Sequence, residues 1–195
     1  MMLNYLLVGV GGQGTVLASR IIAQCAMNQG QTARTAETIG MAQRGGSVVS
    51  HVRIGERIYS PLVPAKTADG LIGFEPGETV RSIDYLKPGG FIVVSNMPMK
   101  PVTDSLSPVN YDSETMIDFL RSVTDRIVVV DGARVLDEAG SGKVLNLALL
   151  GAAIKSGYLA FSRDEVEAVI QDRIDPRFME LNLKALALGG KYILP

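Results

Sequence analysis

The sequence predicts an α/β fold: one domain over residues 1–195, with a Rossmann-like start and a helical C-terminal part spanning residues 144–190. Three observations carry this reading. An unbroken apolar run, Leu3 to Val10, ends in glycines and passes straight into helical periodicity. Further strand-type runs recur as far as Val130, separated by helical stretches. Beyond Asn146 the pattern is helical only. Alternation of this kind marks a sheet covered by helices.

Taken in order, "LNYLLVGV" (Leu3 to Val10) has the continuous apolar character of a strand buried on both faces. After the glycines, Ala18, Ile21, Ile22 and Cys25 share one helical face, and Gly30 is placed to stop the helix. Gln31 to Glu37 reads as a polar second strand. Ser47 to Ile54 alternates with period two: Val48, Ser50, Val52 and Ile54 face one way, and Val49, His51 and Arg53 the other. "GERIY" predicts a hairpin through Gly55 into a short strand. Ala68–Glu75 and Gly89–Asn96 read as buried strands flanking a helix over Glu78–Leu86. Met97 to Pro108, rich in Pro, Ser and Thr, reads as an exposed excursion.

"SETMIDFLRSV" is amphipathic, with Ser113 as its cap, and Arg126–Gly132 is a further strand. "NLALLGAAIKSGYL" predicts one helix. "SRDE" opens another with a capping box between Ser162 and Glu165. Asp175–Pro176 starts a third, because proline suits the first helical turn, and its apolar stripe is Phe178, Leu181, Ala185 and Leu188.

Composition narrows the function. With 195 residues, 47% of them apolar and 20% charged, the chain has material for a sizeable core and argues against disorder. The net charge of −1, with both signs interspersed, leaves no electrostatic footprint for nucleic acid or an anionic membrane. No apolar run approaches the roughly 20 residues that span a bilayer. The start reads as a strand, not a signal peptide, so the expected compartment is the cytoplasm. One cysteine and one histidine rule out an intrachain disulfide and any metal or iron–sulfur site built from several cysteines. Any redox centre this protein serves is therefore expected elsewhere.

Two stretches carry possible chemistry. Gly9-Val10-Gly11-Gly12-Gln13-Gly14 matches G-x-G-x-x-G between a strand and a helix, where glycines permit close backbone approach and a helix N-terminus favours anions. One reading is a dinucleotide site with Glu37 as the ribose-binding acid. A second is a turn needed only for the strand-to-helix connection, and a third is a turn that also contacts a ligand or partner. The continuation into "TIGMAQRGG" and another strand, where a helix should follow, weighs against the first.

The second stretch is "QRGGS", Gln43 to Ser47. Arg44 offers a planar fork for phosphate or carboxylate, and Gly45 and Gly46 offer backbone amides in a concave turn. The alternative is a solvated arginine before a turn. His51 reads as a packed or interface residue, since no carboxylate or nucleophile is spaced to pair with it, and Cys25 as inert core. There is no CxxC, P-loop, thiamine-type GDG motif or nucleophile elbow, so the chain lacks a complete catalytic apparatus of its own.

In order along the chain, "LLVGVGGQG", "AQRGGSVVSHVRIG", "YSPLVP", "ADGLIGFEP", "LKPGGFIVVSN" and "ELNLKALALG" resemble the gamma-type domain of 2-oxoacid:ferredoxin oxidoreductases, and within that family the short accessory subunit of its indolepyruvate branch. The resemblance covers nearly the whole chain. It implies a three-layer α/β/α fold with a mixed, mostly parallel sheet, and an accessory subunit that is inactive alone. It also implies an enzyme complex that decarboxylates an arylpyruvate, passes two electrons to ferredoxin and releases an acyl-CoA. Thiamine diphosphate and the iron–sulfur clusters then belong to a large alpha partner subunit, CoA is a substrate of the complex, and this chain alone binds no cofactor. In isolation a homodimer is expected. The resemblance assigns no catalytic residue here. It carries over Gly9, Gly11, Gly12, Gln13, Gly14, Arg44, Gly45, Gly46 and Ser47 as motif positions that contact the partner's active-site region or CoA. The competing reading is a stand-alone Rossmann-like nucleotide-binding module.

Overall fold

The computed structural model describes residues 2–39, 46–99 and 111–195, so Arg44, Gly45 and most of the expected excursion lie outside the described residues. The chain builds a seven-stranded sheet in the order β2-β3-β1-β4-β5-β6-β7. Here β1 is Leu3–Val10, β2 Thr32–Ile39, β3 Ser47–Gly55, β4 Ala68–Gly73, β5 Leu86–Ser95, β6 Ile127–Val130 and β7 Ile193–Leu194. The unbroken apolar run places β1 centrally, between β3 and β4, as a strand buried on both faces must be.

The sheet is mixed and mostly parallel in strand direction, as expected, with β3 and β7 running against the others. The β1–β4, β4–β5 and β5–β6 pairs are parallel, while β1–β3, β2–β3 and β6–β7 are antiparallel. The antiparallel insertion begins after β2. The chain returns directly into β3 beside it, without the helical crossover that a parallel neighbour needs. This also sets Glu37 two strands from the β1 turn, against the dinucleotide reading, as the sequence already suggested.

Helices cover both faces. On one side α1 (Thr15–Asn28), α4 (Gly132–Ala139), α5 (Leu145–Lys155), α6 (Arg163–Arg173) and α7 (Met179–Lys191) enclose Tyr5, Leu7, Val52, Ile54 and Val93. On the other, α2 (Pro76–Arg81) and α3 (Ser113–Val123) cover Leu6, Val8, Ile92 and Val94, with Ile117 and Leu120 of α3 buried among them. α5 and α7 lie backbone to backbone. A Cβ on Gly151 would fall on the Leu186 carbonyl, and one on Gly189 on the Ala148 carbonyl.

Several local expectations change. No hairpin follows Gly55. Instead Arg53 holds the Ser60 and Leu62 carbonyls at 2.9 and 3.3 Å, and the Val63 N–H donates to His51 Nδ1 at 3.2 Å, folding the segment down onto β3. The expected helix over Glu78–Leu86 is α2 followed by a 3-10 turn, Ile83–Tyr85, and β5 already starts at Leu86. The cap of α3 is Asp112, whose carboxylate accepts the Glu114 N–H at 3.0 Å, and not Ser113. Asp175 caps a 3-10 turn, so α7 begins at Met179 and Phe178 stays exposed outside the stripe. The capping box forms, with the Ser162 N–H on Glu165 at 2.7 Å and the Glu165 N–H on Ser162 at 3.2 Å. No helix among the described residues is long and apolar enough to cross a membrane.

Candidate functional site

Because β1, β4, β5 and β6 run parallel, the turns that leave their C-terminal ends share one edge of the sheet. Antiparallel β3 enters from that same edge. In open α/β sheets this is where ligands bind. The edge gathers the glycine turn after β1, Phe74–Glu78 after β4, Asn96–Met99 after β5, Asp131 after β6, and Gly46 and Ser47 before β3.

Gln13 organises the glycine turn. Its Oε1 accepts the Val10 N–H at 2.7 Å and its Nε2 donates to the Phe74 carbonyl at 3.2 Å, fastening the ends of β1 and β4 together. The Gln13 N–H closes the turn on the Val10 carbonyl at 3.1 Å, and the Gly11 N–H reaches the Gly46 carbonyl at 2.9 Å. Three amides of the motif are thus bonded within the protein and cannot cradle a pyrophosphate. Gly14, the N-cap of α1, has φ 85°, and a Cβ there would also stand 2.7 Å from Asn146 Nδ2. Both facts demand glycine.

Of the sequence-predicted residues, Gly9 lies within β1 opposite Val48, and Ser47 is paired with Val10. Gly11, Gly12, Gln13, Gly14, Gly46 and Ser47 therefore come together on one edge. Arg44 and Gly45 lie outside the described residues. Glu37 sits on β2 opposite Ser50 of β3, two strands from the β1 turn.

Sequence reasoning missed a second knot on this edge. Glu75 is only 1% exposed, and its Oε2 accepts the Glu78 N–H at 2.8 Å, capping α2. Its Oε1 accepts the Tyr111 hydroxyl, which itself accepts the Gly77 N–H at 3.1 Å. Burial, and then the bond to the Glu75 carboxylate, push the Tyr111 hydroxyl well above the ordinary tyrosine range. A carboxylate directly before Pro76 was the readable signal, being a helix cap followed by proline at the first helical position. The role of Tyr111 had no local signature. The third element is Asn96, whose Oδ1 accepts the Gly132 N–H at 3.0 Å, tying the end of β5 to the start of α4.

Between the glycine turn and Met97–Met99 opens a recess of about 280 Å³, also lined by Leu136 and Leu145. Among the described residues, no titratable side chain lines it. Among the described residues no group of three His, Cys, Asp or Glu side chains is placed to hold a metal. Cys25, on the buried face of α1, has its thiol pushed up to about 11 by burial and then by the Glu165 carboxylate. His51 is packed edge-on against Tyr85 with ring centroids 5.9 Å apart, and burial lowers its pKa. Among the described residues the recess offers shape and backbone polarity, while Glu75, an acidic group of this edge, is buried and engaged with Tyr111 and the Glu78 N–H.

A three-layer fold with this glycine-turn edge defines a known class. Residues 4–192 match the family model described as pyruvate ferredoxin/flavodoxin oxidoreductase, and the chain belongs to that family. It is 37% identical over 190 residues to the indolepyruvate oxidoreductase subunit IorB of Archaeoglobus fulgidus, covering 97% of this chain and 94% of that one. Among solved structures it superposes on the pyruvate oxidoreductase subunit PORC of Thermotoga maritima with a TM-score of 0.72 at 21% identity, covering 99% and 97% of the two chains. It also superposes on the 2-oxoglutarate:ferredoxin oxidoreductase of Magnetococcus marinus, solved with 2-oxoglutarate, coenzyme A and succinyl-CoA, with a TM-score of 0.71 at 19% identity. There the match covers 97% of this chain but 30% of the other, so the same fold recurs inside a longer polypeptide.

Proposed function

We propose that this chain is the gamma-type accessory subunit of a cytoplasmic 2-oxoacid:ferredoxin oxidoreductase acting on indolepyruvate or a related arylpyruvate. In the complex the bond between the keto carbon and the carboxylate breaks and carbon dioxide leaves. The acyl group joins the sulfur of CoA, a proton is released, and two electrons pass to ferredoxin. The observation that carries the reading is the binding edge itself, shaped by Gln13, Glu75 and Asn96 yet, among the described residues, without titratable side chains in its recess, in a chain that matches such a subunit along its length.

The large alpha subunit holds thiamine diphosphate and the iron–sulfur clusters. The residues described here do not fit either group, since Cys25 is buried and no acidic cluster is placed for a divalent cation. Residues 1–195 act as one domain. Gly9, Gly11, Gly12, Gln13, Gly14, Arg44, Gly45, Gly46 and Ser47 form the contact edge toward the partner's active-site region and CoA. A separate polypeptide here takes the place that the longer Magnetococcus chain builds in.

The test is co-expression with the large subunit, followed by an assay of indolepyruvate-dependent ferredoxin or viologen reduction with thiamine diphosphate and CoA. Activity that needs both chains supports the reading. A pair that forms but never turns over a 2-oxoacid, together with stabilisation of the lone chain by a nucleotide, would replace it with the binding module. Arg44→Ala is expected to leave the melting temperature of the lone chain unchanged and to lower the activity of the pair. Full activity in that variant would remove Arg44 from the contact edge.

A further inference from the structure

The recess beside the glycine turn has a composition that selects its occupant. Its lining combines the turn Gly11–Gln13 with Met97, Met99, Leu136 and Leu145. With no charged group in the lining among the described residues, it is a poor seat for a phosphate or a carboxylate. Thioether sulfur is polarisable and makes favourable contacts with aromatic rings. A recess that joins thioether and aliphatic side chains to uncharged backbone, on the ligand-binding edge of an α/β sheet, suits an uncharged planar ring.

The Met97 wall is built into the fold. Ser95 is fully buried and its Oγ accepts the Met97 N–H at 3.1 Å, while the preceding Asn96 is held by its bond to the Gly132 N–H. A Cβ on Gly132 would approach the Cγ and Sδ of Met97 to 2.8 Å, so a residue without a side chain is what lets the thioether lie where it does. The methionine is seated from behind by the ends of β5 and β6.

Resting on the function proposed above, we infer that this recess receives the aromatic side chain of the 2-oxoacid. Met97 and Met99 are then specificity-determining residues contributed by the small subunit to a reaction whose chemistry occurs on its partner. The ring lies between the Gly12 backbone and the thioethers, and the 2-oxoacid end projects out of the recess toward the large subunit.

The experiment uses the assembled pair. Specificity constants, kcat/KM, are measured for indolepyruvate and for the smallest 2-oxoacid that the wild-type pair turns over, with the KM for CoA recorded alongside. Met97→Trp fills the recess and is expected to lower the aryl-to-small specificity ratio by about tenfold or more, the scale on which a hydrophobic pocket discriminates. Met99→Trp, at an exposed position, reads the same ratio if the first variant fails to assemble. An unchanged ratio in an assembled variant overturns the inference. So does a raised KM for CoA at constant ratio, which would place the pantetheine arm there instead. A wild-type pair that turns over no 2-oxoacid defeats the subunit reading itself, and the inference with it.

Discussion

Gln13 shows how one side chain makes a glycine turn into a structural joint. Its amide satisfies the Val10 N–H and the Phe74 carbonyl at once. Gln13→Ala leaves both groups without their partner at the end of the central strand, a loss of about 1–3 kcal/mol. Chemical denaturation of the lone chain measures it, and an unchanged midpoint would mean that water replaces both bonds. His51 sets a pH dependence. Burial holds its pKa below the ordinary 6.5, and its Nδ1 must stay unprotonated to accept the Val63 N–H. The unfolded chain binds the proton first, so this contribution is complete above pH 6.5 and is lost as the pH falls below it. The melting temperature should therefore drop on acidification before the carboxylates titrate. Bonds to Thr115, Lys191, Gln29 and Arg177 hold Asp112, Glu138, Glu165 and Asp175 below their ordinary values, so those groups respond only at lower pH. His51→Asn, which keeps an acceptor near the Nδ1 position, should flatten the early part of the curve. Equal slopes in the two proteins would assign the effect elsewhere.

At the scale of elements, the contact between α5 and α7 depends on missing atoms. Gly189→Ala would drive a methyl group into the Ala148 carbonyl, and the helices can separate only by opening the core beneath Leu147, Ala185 and Leu188. Overpacking of this kind costs about 1–3 kcal/mol, often more against rigid backbone. Alanine is the better helix former, so a lower melting temperature in Gly189→Ala reads the clash against a propensity gain, and an unchanged or higher one would mean that the helices separate freely. The sequence announced most elements whose apolar period was long: β1, α1, β3, α5 and the capped α6 are where periodicity puts them. It did not announce α4, whose Val135 and Ala139 are too few to set a period, or β7, two residues long and defined only by pairing with β6. The hairpin expected after Gly55 failed because Arg53 and His51 reach the next segment's backbone, and such long-range bonds leave no local mark.

Across the whole molecule, the two halves of the sheet differ in kind. The β2-β3-β1 half is an antiparallel meander closed by nearby segments, whereas β4, β5 and β6 continue from β1 by parallel crossovers. The glycine motifs were visible as unusual sequence, and their meeting on one edge followed once β3 proved antiparallel to β1. Glu75, Tyr111 and the methionine recess were not visible, because they form only when the turns after β4, β5 and β6 are brought side by side. A backbone bond from the Gly11 N–H to the Gly46 carbonyl joins these motifs across the edge. It also makes the Gly11 amide proton a built-in spectroscopic reporter. Its exchange with solvent deuterium is slow while Gly46 stays docked and accelerates when anything draws that carbonyl away, so one resonance reads the state of one loop from inside the other.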